Sequence, residues 1–203
     1  MFYWHPDKLK TNTVSGSQLL ASYQSGKRNF ARTRLSKVSL TDVNLSAIKL
    51  HQADLAEINL SHAILHQADM SEANLSSAML WRTDFYRGNL VQANLKGALL
   101  IRANLCQANL SRSMLIDAEM RLVYLVEADL SYADLSYADL SYADLSYANL
   151  TGANLNKAIL TGAKLVGANL TGVNLDRTVL SGADLSQAVL SSNKTSSNVL
   201  LHS

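Results

Sequence analysis

Large apolar residues recur at every fifth position from Phe30 to Leu190 without a slip in register. The stretch from Gly26 to Leu190 contains 33 consecutive pentads, and 29 of them end in leucine. The other four end in Phe30, Met70, Phe85 and Met120. A small or β-branched residue almost always lies two positions earlier, with Asp or Asn usually between the two. A period of five fits neither a helix nor a strand, so the pattern predicts a solenoid.

The order of small, polar and large residues within each pentad carries a family resemblance. Residues 68–75 read Ala-Asp-Met-Ser-Glu-Ala-Asn-Leu, which is the unit A-(D/N)-L-x-x in tandem. On this motif the chain resembles the pentapeptide-repeat proteins over about four fifths of its length. The resemblance implies an all-β fold, a right-handed quadrilateral parallel β-helix in which four pentads complete one square coil.

Four pentads per coil imply a period of 20 residues and about eight coils. We expect the large residue of each pentad, and the small residue beside it, to point inward and fill a dry interior. Aspartate or proline at Leu105 is then severely destabilising. The large residues that we assign to the structural core include Leu45, Leu55, Met70, Leu75, Phe85, Leu105, Met120 and Leu135.

The chain divides into three predicted parts. Residues 1–25 form an N-terminal arm and a capping helix, residues 26–190 the β-helix, and residues 191–203 a C-terminal tail or cap. A short helix is predicted over residues 17–24, started by Ser15 or Ser17 and ended by Gly26. A solenoid exposes its apolar interior at each end, so we assign this helix to the N-terminal end. The capping residues are Leu19, Leu20, Tyr23 and Phe30.

The C-terminal end allows two arrangements. Val199, Leu200 and Leu201 cover the interior, or the end meets a second copy of the chain. The first arrangement predicts a monomer and the second a dimer joined through a solenoid end. We favour the first arrangement, in which the chain partly covers its own C-terminal end.

Composition says more about the cellular compartment of the protein than about its binding partner. The chain has 18 basic and 16 acidic residues and a formal net charge of +2. One cysteine, Cys106, excludes an internal disulfide and favours a reducing compartment. The leucines are separated by polar residues, and the first residues lack the basic and apolar regions of a secretion signal. We expect a cytoplasmic protein without membrane contact.

One column of outward positions differs from the Asp and Asn that precede most of the large residues. It places Met79 beside Leu99, and Ile159 beside Val179 further along. These side chains either pack under their neighbours or under the aromatic N-terminal arm, or they form a partner-binding stripe. The full column is Ser39, Asn59, Met79, Leu99, Glu119, Asp139, Ile159 and Val179.

Charge is unevenly distributed along the repeats, although residues 26–190 contain 15 basic and 15 acidic side chains. Residues 81–112 are basic, with Trp81 and Tyr86 interleaved, whereas residues 117–144 are acidic. Arginine beside an exposed tryptophan is typical of protein-interface hot spots, and it also suits a phosphate-binding patch or an ordinary solvated surface. Our candidates for partner binding here are Trp81, Arg82, Tyr86, Arg87 and Arg102, together with Met79 and Leu99.

Four near-identical pentads from Ser131 to Leu150 complete one predicted coil. They place a tyrosine at an equivalent point on each of the four sides. Four equivalent tyrosines cannot all meet one flat partner, so duplication of a stable repeat explains them better than a recognition belt. The four residues are Tyr132, Tyr137, Tyr142 and Tyr147.

The sequence contains no catalytic constellation. The histidines do not share a column, and none has the cysteine or acidic partners that a zinc site needs. Cys106 has no histidine in the neighbouring stacked positions, so a thiol nucleophile lacks a base. We expect neither an enzyme nor a cofactor, metal or small-molecule substrate. The five histidines are His5, His51, His62, His66 and His202.

These observations favour a non-enzymatic module that presents a rigid surface to another protein of unknown identity. Residues 19–30 also resemble the start of the repeats in cyanobacterial members of the family, one of which regulates heterocyst differentiation. The alternative is a DNA-mimicking member that inhibits or protects DNA gyrase. A mimic needs a strongly acidic surface, which the net charge of +2 does not supply. Acidic residues interrupt the basic bands, so we do not expect direct binding of nucleic acid.

Overall fold

The computed structural model describes residues 12–190, and all structural statements below refer to them. Three short elements are continuous: β1 (Asn12–Thr13), α1 (Gly16–Gln24) and β2 (Thr33–Arg34). The remaining chain is a regular succession of turns and single-residue bridges. The aromatic N-terminal arm and Val199–Leu201 lie outside the described residues.

Parallel bridges join residues that are 20 positions apart along the whole repeat. Four such bridge columns run side by side, so four pentads return the chain to the same side, as the family resemblance implies. We name the faces by the residues of these columns. The first face runs from Ser39 to Val179, the second from Asn44 to Asp184, the third from Asn29 to Val189, and the fourth from Arg34 to Asn174.

A tight turn joins each face to the next. At one corner the Thr83 N–H donates to the Leu80 carbonyl oxygen at 3.2 Å, and the third residue of the turn, Arg82, has φ of 52°. Positive φ at this position alone identifies a type II turn, which usually requires glycine. Twenty-six non-glycine residues adopt positive φ, all at this turn position. The next coil compensates for the strain, because the Arg82 N–H donates to the Ile101 carbonyl oxygen at 3.1 Å.

The large and small apolar residues point inward and form one continuous core. Removing a leucine side chain from water stabilises the fold by about 1.5–3 kcal/mol, and this term recurs in every pentad. The inward hydroxyl groups of Thr83 and Thr178 are hydrogen-bonded. Each donates to the backbone carbonyl oxygen 23 residues earlier, at 2.8 Å. All eight of the assigned core residues are only 0–1% exposed: Leu45, Leu55, Met70, Leu75, Phe85, Leu105, Met120 and Leu135.

Outward Asp and Asn residues stabilise the third and fourth faces. Their Oδ1 atoms accept the backbone N–H two residues later, as in the 3.3 Å bond from Ser76 to Asn74. Their amides also bond along the column: the Asn74 Nδ2 donates to Asp54 Oδ1 at 3.2 Å, and the Asn94 Nδ2 donates to Asn74 Oδ1 at 3.0 Å. Asp54 and Asn74 are buried by this stacking, although they lie at outward positions of their pentads.

The predicted short helix is present and begins one residue earlier than its pattern indicates. Ser15 is the N-cap and exchanges hydrogen bonds with Gln18 in a capping box. Leu19 is fully buried, and Leu20 and Tyr23 pack against the core. The Tyr23 hydroxyl donates to the Ser46 carbonyl oxygen at 2.8 Å.

Close packing of α1 on the first coil requires glycine at its first residue. A Cβ at Gly16 would lie 2.9 Å from Val38 Cγ1. Phe30 is also buried near this end of the core. The sequence did not predict β1, which pairs in parallel with β2 and extends the column of the fourth face.

Candidate partner-binding surface

Most exposed large apolar side chains other than the four repeated tyrosines lie on one side of the described rod. Apart from the four repeated tyrosines and the last pentad, seven such residues are exposed. All seven lie on the first face, on the second face, or at the corner between them. They are Met79, Leu99 and Ile159 on the first face, Trp81 and Leu122 at the corner, and Ile64 and Tyr124 on the second face.

Five of the predicted binding residues come together on this side. A bridge joins Met79 to Leu99, which are 41% and 36% exposed. Trp81 follows Met79 by two residues and is 42% exposed. We define the Trp81 strip as Met79, Trp81, Arg82, Leu99, Ile101 and Arg102.

Contacts on two sides hold the Trp81 indole in place. The His62 ring meets it edge-on, with ring centroids 4.7 Å apart and an interplanar angle of 85°. The Arg82 guanidinium carbon lies 4.8 Å from the centroid of the indole. A tryptophan held in this way loses less conformational entropy when a partner covers it.

The two arginines of the Trp81 strip have no carboxylate partner among the described residues. Arg82 and Arg102 occupy equivalent turn positions in successive coils, so their backbones are about 4.8 Å apart. Both side chains are exposed. The Trp81 strip therefore combines unpaired positive charge with apolar surface.

An ion-paired cluster borders the Trp81 strip on the next coil. Arg121 lies 3.1 Å from the Glu119 carboxylate and 3.3 Å from the Asp139 carboxylate. Partial burial acts to raise the pKa of Asp139, but hydrogen bonds from Ser141 and Arg121 outweigh it and hold that pKa below its usual range. The positive charge of Arg121 is thus neutralised within the chain, unlike that of Arg82 and Arg102.

Tyr86 and Arg87 are separated from the Trp81 strip by the second face. The Arg87 guanidinium carbon lies 5.1 Å from the Tyr86 ring, and its Nε donates to Gln107 Oε1 at 2.7 Å. Gln107 in turn donates to Glu127 at 2.9 Å. Tyr86 and Arg87 thus interact with each other and with neighbouring side chains of the same chain. The structure separates these two from the other five predicted binding residues.

Sequence reasoning missed several apolar residues of the same surface. Ile101 is half-buried and occupies the position of Trp81 in the next coil, and Leu122, Tyr124 and Ile64 are exposed at the corner and on the second face. The signal was present in the 20-residue period. Ile64 and Tyr124 lie in the column of the second face, and Ile101 and Leu122 lie in corner columns.

The four repeated tyrosines pack along the rod. At the fourth corner the Lys157 ammonium donates to the Tyr137 hydroxyl at 2.9 Å. At the other three corners each ring covers the glycine 20 residues later, and a Cβ there would lie within 2.6–2.7 Å of it. These pairs are Tyr132 with Gly152, Tyr142 with Gly162, and Tyr147 with Gly167. The rings therefore support the next coil.

Possible catalytic groups are scattered over residues 12–190, where no group of His, Cys, Asp or Glu could hold a metal ion. His66 does have an acidic partner, contrary to expectation, since its Nε2 lies 2.8 Å from Asp84 Oδ2. Burial raises the pKa of the Cys106 thiol, which disfavours the nucleophilic thiolate. Within the same range, no helix has the length and apolar content to cross a bilayer.

A groove of about 290 Å³ lies on the fourth face, lined in part by Arg112, Ser113, Met114 and Tyr132. The Asp134 carboxylate at its edge accepts hydrogen bonds from Asn154 and from the Ser136 N–H, at 3.0 and 3.1 Å. These bonds belong to the Asp and Asn ladder. The groove therefore holds no acid–base pair.

Comparison with known proteins identifies the repeats. The pentapeptide-repeats family profile matches eight copies, over residues 53–90, 88–125, 124–162 and 160–191. HetL, a pentapeptide repeat protein involved in heterocyst differentiation regulation from the cyanobacterium Nostoc sp. strain PCC 7120, is 33% identical. That match covers 89% of this chain and 94% of HetL, with a TM-score of 0.43. Comparison with curated proteins gives no match.

Two further solved structures are similar to this chain. A pentapeptide repeat protein from the Arabidopsis thaliana thylakoid lumen is 34% identical over 61% of this chain and 69% of its own, with a TM-score of 0.31. QnrB1, a plasmid-mediated fluoroquinolone resistance protein, is 18% identical over 83% of this chain and 88% of its own, with a TM-score of 0.41. The chain belongs to the pentapeptide-repeat family, whose fold is a right-handed β-helix.

Proposed function

We propose that this protein is a non-enzymatic interaction module that holds another protein against the Trp81 strip. One observation carries the proposal: apart from the four repeated tyrosines and the last pentad, the exposed large apolar side chains lie on two adjacent faces and their shared corner. Contiguous exposed apolar surface marks interaction sites on folded proteins. Tryptophan and arginine, which dominate interface hot spots, lie side by side within it.

The rod supplies a rigid base for such a surface. Both the N–H and the carbonyl oxygen of Met79 and Leu99 are hydrogen-bonded to adjacent coils. We further propose that about eight coils form this base and that α1 caps its N-terminal end. The burial of Leu19 and the bond from Tyr23 to the first coil support the cap.

The proposal excludes catalysis by the described residues. Cys106 has a raised pKa, and the Asp and Asn residues of the columns are engaged in ladder bonds. A family of interaction modules fits this arrangement. The DNA-mimic alternative requires an acidic surface, whereas the net charge is +2 and the Trp81 strip is basic.

Affinity capture from cells of the source organism tests the proposal. The full chain is compared with a Trp81→Ala/Leu99→Ser variant and with Tyr132→Ala, which removes an exposed aromatic ring from the opposite corner. We expect the strip variant to lose a captured protein that wild type and Tyr132→Ala retain. Identical captured proteins from all three forms would contradict the proposal, provided that all three unfold at similar temperatures.

A cyanobacterial regulator of the heterocyst type is the narrower form of the proposal. It rests on the resemblance of residues 19–30 to cyanobacterial members of the family. Expression in a heterocyst-forming cyanobacterium, with the strip variant as control, tests it through the frequency of heterocysts along the filament. An unchanged frequency with wild-type protein would remove the narrower form and leave the binding proposal in place.

A further inference from the structure

The unpaired arginines of the Trp81 strip determine which class of partner the strip can bind. Each guanidinium carries five N–H donors, and no described side chain accepts from Arg82 or Arg102. Two like charges one coil apart repel each other, so an anionic partner relieves the repulsion and gains charge-assisted hydrogen bonds. The strip therefore selects for negative charge.

The surroundings of the arginines favour carboxylates of a protein over the phosphates of a nucleic acid. A nucleic-acid backbone needs a continuous basic track with aromatic stacking surfaces. The Met79–Leu99 column instead continues into Glu119, and Asp84 lies on the adjoining second face. The aliphatic side chains of Met79 and Leu99 suit apolar protein side chains. Acidic and apolar residues in one short segment fit both parts of the strip.

The backbone of the strip cannot accept an added strand. The Met79 N–H donates to the Ile58 carbonyl oxygen, and the Met79 carbonyl oxygen accepts from the Leu60 N–H, both at 2.9 Å. Leu99 is engaged in the same way: its N–H donates to the Ala78 carbonyl oxygen, and its carbonyl oxygen accepts from the Leu80 N–H. Recognition must therefore come from side chains, which excludes β-augmentation.

A helix presents its side chains at the required spacing. Residues four apart on one helical face have Cβ atoms about 5–6 Å apart. The coils that carry Arg82 and Arg102 are about 4.8 Å apart. A helix lying along the rod can therefore present one carboxylate to each arginine, and an adjacent apolar residue to Trp81.

We propose that the Trp81 strip binds an acidic amphipathic helix of another protein, aligned with the rod. Carboxylates at positions i and i+4 pair with Arg82 and Arg102. A large apolar side chain of the same helix packs among Met79, Trp81 and Leu99. This inference rests on the proposed function and adds the chemical class of the partner segment.

Photo-cross-linking in the full chain provides the test. Leu99 is replaced by the photoreactive benzoylphenylalanine, and Asn94 on the fourth face is replaced in the same way as a control. After irradiation of cells of the source organism, mass spectrometry identifies the segment joined to residue 99. A labelled peptide of that segment is then titrated against wild type, R82Q/R102Q and R112Q/R177Q. The last variant changes two arginines at equivalent turn positions on other corners.

We expect a segment with two acidic residues four apart beside a large apolar residue, cross-linked from position 99 and not from position 94. R82Q/R102Q should weaken binding by about tenfold, and R112Q/R177Q by less than about twofold. The peptide should gain helical circular dichroism on binding.

Two other outcomes overturn the inference in different ways. A segment without paired acidic residues, or equal weakening by both variants, removes the acidic helix and leaves the proposed function standing. Cross-links to nucleic acid alone, or to nothing, remove both.

Discussion

The first and fourth faces share one backbone geometry but use their outward residues differently. On the fourth face Asn74 is buried and bonds to Asp54 below it and Asn94 above it. On the first face the equivalent residues, Met79 and Leu99, make the same bridges and leave their side chains exposed. The bridges therefore form with either kind of side chain.

This difference separates folding from binding within a single repeat. The inward residues and the backbone ladder are the same under both faces, so the outward residue of the first face is not needed to complete a polar ladder. Apolar residues can collect there at little cost to stability. On the fourth face the same substitution would leave ladder atoms unpaired.

Substitutions in the core should cause the largest loss of stability, and the loss should be the same beneath the first and fourth faces. Leu100 lies beneath the first face and Leu95 beneath the fourth, and both are fully buried. Alanine at either position should lower the free energy of unfolding by about 2–5 kcal/mol, because each leaves a cavity in the same core. Leu105→Asp should be worse still, since it buries a charge. Denaturant unfolding measures all three, and a clear difference between the two alanine variants would contradict a common core.

Outward substitutions should separate the faces. Asn74→Ala removes a donor to Asp54 and an acceptor for Asn94, so we expect a loss of about 1–3 kcal/mol. Met79→Ala on the first face should change the free energy of unfolding by less than about 0.5 kcal/mol. The two variants are compared by denaturant unfolding. Equal effects would mean that the ladder does not distinguish the faces.

The corners offer a matched pair of glycines. Gly162 and Gly172 both have positive φ, but a Cβ at Gly162 would lie 2.6 Å from the Tyr142 ring, whereas one at Gly172 would meet nothing nearer than 3.9 Å. Alanine at either site strains the turn, and at Gly162 it must also displace the ring. We expect Gly162→Ala to lower the melting temperature more than Gly172→Ala does. The difference should disappear in a Tyr142→Ala background, and its persistence there would exclude the ring as the cause.

The smallest expected change is in the dependence of the free energy of unfolding on pH. The pKa of Asp139 is lower in the folded protein than in the unfolded chain, so its ionised form stabilises the fold. This contribution is present above the unfolded-state pKa of about 3.9 and is lost as the pH falls through the folded-state value. Arg121→Gln should make the unfolding midpoint slightly less sensitive to pH between about 5 and 2. Unchanged sensitivity would show that Arg121 does not contribute.

The five-residue period predicts the inside of this molecule because burial depends only on position within the pentad. The coil of four pentads that the family resemblance implies also places Met79 beside Leu99 and Arg82 beside Arg102. Position within the pentad does not predict that Arg87 donates a hydrogen bond to a side chain of the next coil while Arg82 does not, because both occupy the same position in a pentad. That difference arises from the acceptor 20 residues later, which is Gln107 for Arg87 and another arginine for Arg82.

The backbone contains a second feature that residue type does not reveal. Arg82, Arg102 and Tyr132 adopt positive φ at positions where an isolated turn would favour glycine. Hydrogen bonds to the next coil impose this conformation, so propensity alone gives no signal. The partner surface was only partly predicted for a different reason, because Ile101 and Leu122 lie in corner columns rather than in the outward column of a face.

Methionine oxidation distinguishes binding at the Trp81 strip from binding at the fourth face, because the first and fourth faces carry the same reporter side chain. Met79 belongs to the Trp81 strip, and Met114 lies on the fourth face. Mass spectrometry measures the oxidation rate of each, with and without the protein captured by the wild-type chain. We expect the captured protein to slow oxidation of Met79 and to leave that of Met114 unchanged. Protection of Met114 alone, or of neither methionine, would contradict binding at the Trp81 strip.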